Sequence, residues 1–251
     1  MDRSQLAQLL AEVRAGTVTP EEAARRIGAL PYAEVAQAVV LDHHRELRTG
    51  IPEIVYGASK TADQIVSAMR ELEKDGGAIA TRVDASKATA VVGALAGATY
   101  HEAARVVRVG AVPPRPACGS IAVVCAGTSD LGVAEEAALV AEFLGAPVLR
   151  VGDVGVAGLH RLLARVDDIR RCDVVIAAAG MEAALPSVLG GLIDRPLIAL
   201  PTSVGYGVSL DGLVALGALL SGCVPGTTVV NIDNGVGAAV AAVKIARLVA
   251  R

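Results

Sequence analysis

The sequence predicts an α/β protein: a C-terminal doubly wound parallel sheet in a flavodoxin-like three-layer sandwich, preceded by a smaller α/β domain. Three observations lead there. Beyond residue 120 five short apolar runs recur, with helical patterns between them, giving five β-α units within about 130 residues. Those runs are continuously apolar rather than alternating, as in strands covered on both faces. The charge is concentrated in the segment before them, and the two textures meet at Val112-Pro113-Pro114-Arg115-Pro116-Ala117-Cys118-Gly119. Prolines at three of four positions there exclude a helix or a central strand. The expected organisation is therefore a small domain over 1–112, a linker over 113–119 and a larger domain over 120–251.

In the first segment, Leu6, Leu9, Leu10 and Val13 mark a short opening helix. Thr19-Pro20-Glu21-Glu22 announces a second: a capping hydroxyl, proline at the first helical position and glutamate three after the cap. Ile54-Val55-Tyr56 reads as a strand, and 62–74 as a helix with Ile65, Val66, Met69 and Leu72 on one face. Residues 78–83 read as a further strand, followed by a helix capped by Asp84 or Ser86. Arg45, Arg48 and Lys60 are either phosphate donors or structural.

In the second segment the strands are read at 121–124, 147–151, 174–177, 197–200 and 228–232. Leu159, Leu162, Leu163, Val166 and Ile169 supply one intervening helical pattern. In such a sheet ligands bind beyond the carboxyl ends of the strands, so the loops that follow strands are the candidate site. The first is Ala126-Gly127-Thr128-Ser129-Asp130, whose small residues let backbone N–H groups approach an anion, while Ser129 or Asp130 also fits a plain helix cap. It is neither a dinucleotide Gly fingerprint nor a Walker loop. The second, Gly152-Asp153-Val154-Gly155-Val156-Ala157-Gly158, leads to His160 and Arg161, which either face an anionic ligand or are exposed first-turn residues. The third, Gly180-Met181-Glu182, places an acid in a small-residue turn, suited to a helix start or to proton transfer. The fourth, Thr202-Ser203-Val204-Gly205-Tyr206-Gly207, suits a loop that covers a ligand and equally an oligomer contact.

Composition removes several functions. The net charge of -3 and 2% aromatic content argue against a nucleic-acid surface or a base-stacking platform. Hydrophobic residues make up 53% and mean hydropathy is +0.53, yet the longest uncharged stretch, 212–232, is broken by Ser221, Gly222, Pro225, Gly226, Thr227, Thr228 and Asn231. No membrane span or signal-peptide core is expected, and the expected location is cytoplasmic. The excess is assigned to strands buried on both faces and to helices near 183–192, 213–220 and 236–249, apolar nearly all round. Such helices imply a homo-oligomer.

Cys118, Cys125, Cys172 and Cys223 form no C-x-x-C pair, and His43, His44, His101 and His160 complete no zinc spacing. Cys223 differs from the others in context: Ser221-Gly222-Cys223-Val224-Pro225-Gly226 is a turn between a helix and the fifth strand.

AGTSD, GVAGLHR, AAGMEAALPSVLGG, RPLIALPTSVGYG, SGCVPG and VVNIDNG occur in this order, with DHHRELRTGIPEIVYGASKTADQI in the first segment. In these motifs the chain resembles the LarB family, the carboxylase/hydrolase that acts first in nickel-pincer nucleotide cofactor biosynthesis. The C-terminal domain of that family is similar to the purine-pathway aminoimidazole ribonucleotide carboxylase/mutase. The resemblance implies carboxylation of the pyridinium ring of nicotinic acid adenine dinucleotide with CO2 as co-substrate, and hydrolysis of its phosphoanhydride. The products would be pyridinium-3,5-biscarboxylic acid mononucleotide and AMP. It further implies Cys223 as nucleophile, Glu182 as the acid that handles protons or positions CO2, and Mg2+ at the anhydride, while similarity to the purine enzyme implies an octamer. The resemblance assigns no ligands to that ion; Asp153 and Asp233 are the candidate carboxylates. The purine reaction fits less well, because that family carries Ala-His-Arg directly after the second strand where this chain has Asp153-Val154-Gly155. A non-enzymatic nucleotide-binding assembly module is the remaining alternative.

Overall fold

The computed structural model describes residues 3–28, 32–36, 39–42, 45–74, 76–112 and 115–250. The chain divides into two compact units, one of residues 1–100 and 106–113, the other of 101–105 and 114–251.

The first unit opens with α1 (Arg3–Arg14) and α2 (Pro20–Gly28). The Glu22 amide donates to Thr19 Oγ1 at 3.1 Å, as the cap pattern requires, but the Glu22 carboxylate pairs with Arg25 and Arg26 instead of returning to the cap. An antiparallel pair, β1 (Tyr32–Ala36) and β2 (Val39–Asp42), precedes a short α3 (Arg45–Thr49). The remaining elements are β3 (Val55–Tyr56), α4 (Ala62–Glu73), β4 (Ala78–Thr81), α5 (Ala85–Ala94), β5 (Thr99–His101) and β6 (Val106–Val109). Their strands form a mixed sheet in the order β3-β4-β6-β5, with β3 parallel to β4 and β4 antiparallel to β6.

Thr61 closes a reciprocal capping box on α4: Oγ1 accepts from the Gln64 amide and Gln64 Oε1 accepts from the Thr61 amide. That helix buries Ile65, Val66, Ala68 and Met69. Asp84, rather than Ser86, caps α5; it accepts from the Lys87 amide at 2.9 Å while Ser86 donates to it. Strand β4 stops short of the expected Val83 because Arg82 turns into the left-handed region at φ 55°.

The second unit contains β7 (Ile121–Cys125), α6 (Leu131–Phe143), β8 (Val148–Val151), α7 (Leu159–Leu163), α8 (Val166–Arg170), β9 (Val174–Ala179), α9 (Ala184–Gly190), β10 (Leu197–Pro201), α10 (Leu213–Leu220), β11 (Thr227–Val229) and α11 (Gly235–Val249). The strands form one parallel sheet in the order β11-β10-β9-β7-β8. Chain order reverses between β7 and β9, which makes that crevice the topological switch point of a flavodoxin-like sheet.

Strands β7, β9 and β10 are wholly buried, in keeping with their continuous apolarity; the edge strands β8 and β11 are only partly covered. On β8 the exposed Arg150 pairs with Glu135 and Glu142 of α6. One face is covered by the alanine-rich α6 and α11, which approach closely at Gly235, where a Cβ would lie 2.8 Å from the Val133 carbonyl oxygen. The other face packs Leu162, Ile169, Leu185, Leu189, Ala215 and Leu219 from α7 to α10 against the sheet. The single helical pattern through 159–169 is two short helices, with Leu159 and Leu163 exposed. Among the described residues no helix is long and apolar enough to cross a membrane.

Candidate functional site

Each strand of the parallel sheet hands the chain to a helix at its carboxyl edge, so the loops after β7, β8, β9, β10 and β11 gather there. After β7 a single 3-10 turn, Thr128–Asp130, leads into α6. Thr128 and Ser129 are exposed, but Asp130 turns inward and is 4% exposed. Its Oδ2 accepts from the Gly127 amide at 2.9 Å; its Oδ1 accepts from the Gly180 amide at 3.0 Å and from Thr202 Oγ1 at 2.6 Å. Asp130 therefore makes no side-chain cap on α6 and instead laces together the loops after β7, β9 and β10. Thr202 is fully buried in the same arrangement.

The loop after β8 is tied to that after β7 by backbone bonds, Val154 N–H to the Cys125 carbonyl and Gly155 N–H to that of Ala126. Asp153 occupies the left-handed region at φ 56° and pairs with Arg161. The guanidinium expected to meet a ligand anion already faces a carboxylate of its own loop. His160 lies within α7 and is exposed.

After β9, Gly180 is needed for a close approach: a Cβ there would lie 2.2 Å from the Val204 carbonyl oxygen and 2.7 Å from Thr202 Oγ1. The next turn holds Met181 at φ 54° and Ala183 at φ 51°, one on each side of the exposed Glu182. Left-handed non-glycine residues cost energy and persist where the surroundings fix them. Here the Met181 amide donates to the Val204 carbonyl at 2.8 Å and the Ala183 amide to that of Gly180 at 2.8 Å. Glu182 makes no ion pair among the described residues, so its carboxylate is open to solvent and substrate.

After β10 the chain carries Tyr206 at 81% exposure and Val208 at 83%, with Gly207, Leu210 and Asp211 all at positive φ. Asp233, after β11, ties back to this loop by accepting from the Ser203 amide at 2.8 Å. Among the described residues, six of the eight non-glycine residues with positive φ lie in these carboxyl-edge loops, so backbone strain collects where the ligand is expected.

Cys223 is elsewhere. It lies in the α10–β11 connection, which enters the sheet from its amino edge; Gly190 there faces both Val224 and Leu197, the first residue of β10. Glu182 and Cys223 thus occupy opposite edges of the sheet within one chain. Of the four cysteines Cys223 is the exposed one; Cys125 and Cys172 are buried, and Cys118 is intermediate. Burial pushes the thiols of Cys118, Cys125 and Cys172 above the ordinary cysteine range, which leaves them poor nucleophiles.

Gly127, Thr128, Ser129, Asp130, Asp153, His160, Arg161, Gly180, Met181, Glu182, Thr202, Tyr206 and Gly207 all belong to the carboxyl-edge loops or the helix starts beside them. Ser203 is a loop member that sequence reasoning did not single out, and its bond to Asp233 spans thirty residues. Among the described residues no group of three or more His, Cys, Asp or Glu side chains could hold a metal ion. Asp153 pairs with Arg161, and Asp233 accepts from the Ser203 amide. In the first unit Arg45 pairs with Glu53 and Arg48 with Asp42, which favours the structural reading of both; His43 and His44 lie outside the described residues.

Comparison with known proteins adds a family context. Residues 32–111 match the LarB/PurE-like N-terminal domain and residues 120–250 the AIR carboxylase domain. An uncharacterized protein of Methanocaldococcus jannaschii is 37% identical over 252 residues, covering 97% of each chain. The N5-carboxyaminoimidazole ribonucleotide mutase of the same organism is 36% identical over 51% of this chain and 79% of its own length. The mutase of the same name from Pyrococcus horikoshii is 31% identical over 50% of this chain and 71% of its own.

Proposed function

Because the chain belongs to the LarB family, with an AIR carboxylase-like C-terminal domain, we propose that it carboxylates the pyridinium ring of nicotinic acid adenine dinucleotide and hydrolyses the phosphoanhydride. The products are pyridinium-3,5-biscarboxylic acid mononucleotide and AMP. Its family membership makes the chain an enzyme of the carboxylase/mutase kind.

The chemistry explains why a thiol is wanted. A pyridinium ring is electron-poor and does not attack CO2. Addition of the Cys223 thiolate to the ring forms a C–S bond and leaves an enamine-like dihydropyridine with a nucleophilic carbon. That carbon forms a C–C bond to CO2, a base removes the ring proton, and the C–S bond breaks to restore aromaticity and return the thiolate. Glu182, held in an exposed turn, is the carboxylate assigned to that proton or to positioning CO2. Mg2+ would neutralise phosphate charge, held largely by substrate phosphates with one or two carboxylates.

The observation that carries the reading is the exposure of Cys223, where Cys125 and Cys172 are buried and Cys118 is half-buried. The purine mutase reading is weaker, because His160 belongs to α7 rather than following β8 directly.

One ring must meet both Cys223 and Glu182, and the two lie at opposite edges of the sheet. The proposed site is therefore completed by a second copy of the chain in a homo-oligomer, for which an octamer is the expected size. The exposed Val208, Leu210, Leu213 and Leu220 supply apolar contact area. A mixture test follows. Cys223→Ala and Glu182→Gln are each inactive alone; co-assembled in equal amounts they regain about a quarter of wild-type turnover per site, since roughly one site in four draws both intact residues at random. No recovery in verified mixed oligomers would place both residues of a site on one chain. In parallel, rapid AMP release from the dinucleotide with no turnover of an aminoimidazole ribonucleotide supports the pyridinium reading, and the reverse result replaces it with the purine one.

A further inference from the structure

We infer that Arg105, on the turn between β5 and β6, is a substrate-binding residue of the carboxyl-edge site and takes the diphosphate of the dinucleotide. The inference rests on the reading of that edge as part of the reacting site. The carboxyl edge by itself is acidic. Residues 126–130, 152–161, 180–183, 202–212 and 230–234 make up its loops and helix starts, and they hold Asp130, Asp153, Glu182, Asp211 and Asp233 against Arg161 as the one Arg or Lys. Arg161 is already paired with Asp153. The Cys223 turn that a second copy would bring, 221–226, adds no Arg or Lys. A diphosphate is charged on both phosphates, and an acidic rim repels it unless a further cation faces it.

The β5–β6 connection can supply that cation. Residues 101–105 belong to the second unit. Ala104 is 4% exposed, and the Ala103 carbonyl comes so near α6 that a Cβ on Gly132 would lie 2.7 Å from its oxygen. The turn fits there because residue 132 has no side chain. Gly132 lies in the first turn of α6, just after the exposed Thr128 and Ser129 of the β7 loop. Arg105, two residues beyond Ala103, thus brings a long cationic side chain to the margin of that loop. Its backbone also calls for an explanation. The Arg105 amide donates to the Glu102 carbonyl at 3.0 Å, closing a turn whose last residue sits at φ 52°. Glycine is the ordinary occupant of such a position. Arginine is strained there, and its exposed side chain makes no hydrogen bond or ion pair among the described residues to offset the strain. A guanidinium in this place is suited to phosphate oxygens, which it meets with paired N–H donors.

Arg105→Gly is the test, because glycine suits the turn and leaves the fold in place. Arg105→Lys keeps the charge without the fork of donors. The probe is ADP-ribose, which carries both phosphates and lacks the pyridinium ring, titrated by calorimetry into the wild-type and variant oligomers in metal-free buffer. Its Kd is expected to rise about 30-fold in Arg105→Gly and about fivefold in Arg105→Lys, with melting temperature unchanged or higher in the glycine variant. Raising the ionic strength weakens ADP-ribose binding more steeply in the wild type than in Arg105→Gly. With the dinucleotide as substrate, KM rises about 30-fold while kcat stays within about threefold, the pattern of lost uniform binding. Unchanged Kd and KM, or a loss confined to kcat, would overturn the inference. Dissociation of the oligomer by Arg105→Gly would overturn it too, by making the residue a contact between copies. A wild-type protein that binds ADP-ribose through Arg105 but turns over no dinucleotide loses the proposed reaction and keeps the inference; one that does not bind ADP-ribose at all refutes the inference whatever its turnover.

Discussion

Replacing Cys223 with alanine is expected to abolish carboxylation and leave the fold intact. Without a thiolate the pyridinium carbon has no route to a nucleophilic state, so turnover falls at least about 1,000-fold, the scale of losing a covalent nucleophile. The side chain is exposed and lies in a turn between glycine and proline-glycine segments, so little packing is lost. Stability changes by no more than about 0.5 kcal/mol, a melting shift of about 1–2 °C for a chain of this size. The control is Cys172→Ala: Cys172 belongs to the core beneath α8, and its thiol is held protonated by burial, so this variant loses stability but keeps carboxylation within a few-fold. Turnover and melting measured on both variants separate a chemical role from a packing one. Full activity in Cys223→Ala would remove the nucleophile from the account.

The second large effect is expected at Gly180. A methyl group there meets the Val204 carbonyl oxygen at 2.2 Å and the Val204 Cβ at 2.8 Å. Both atoms belong to Val204, in the loop beyond the end of β10, whose carbonyl already accepts from the Met181 amide; a carbonyl oxygen and a Cβ cannot swing aside as the end of a long side chain would. Gly180→Ala is expected to cost about 2–3 kcal/mol, the upper range of overpacking, and to lower the melting temperature by about 5–10 °C. The shift separates the β9 loop from Thr202, so activity falls about 100-fold as Glu182 is displaced. Gly93→Ala in α5 is the contrast: its Cβ meets nothing within 4 Å, and alanine is the better helix former. A Gly180→Ala protein with wild-type melting and turnover would mean that the loops do not meet as closely as described.

Much of this was legible in the amino-acid sequence, for identifiable reasons. The central strands announce themselves because burial on both faces demands unbroken runs of Val, Ile, Leu and Ala, as at 174–179 and 197–201. The caps at Thr19 and Asp84 follow from hydroxyl and carboxylate chemistry within three residues. What escaped is what long-range contact decides. The β1–β2 pair, β5 and β6 are short strands whose runs carry no distinctive period. Helices α7 and α8 share one periodic pattern but are interrupted between Leu163 and Val166.

The site shows the same division. Loop membership was readable because every candidate follows a strand, whereas the inward turn of Asp130 was not. Its partners Gly180 and Thr202 are 50 and 72 residues away, and local pattern described it only as a cap or an anion contact. Cys223 is instructive in a different way. Its place between a helix and a strand already fixes it at the amino edge, but the consequence, a thiol and an acid at opposite edges of the sheet, emerges only once strand order is known. That separation turns the expectation of an oligomer, first drawn from apolar helices, into a requirement of the proposed chemistry.

The central claim, carboxylation of a pyridinium dinucleotide, is tested most directly by product mass. The protein is incubated with nicotinic acid adenine dinucleotide, carbon-13 bicarbonate and Mg2+, and the mixture is resolved by mass spectrometry. The account predicts AMP together with a pyridinium mononucleotide carrying one new, labelled carboxyl group, both absent with Cys223→Ala. Unchanged dinucleotide, or AMP released beside an unlabelled mononucleotide, would contradict it.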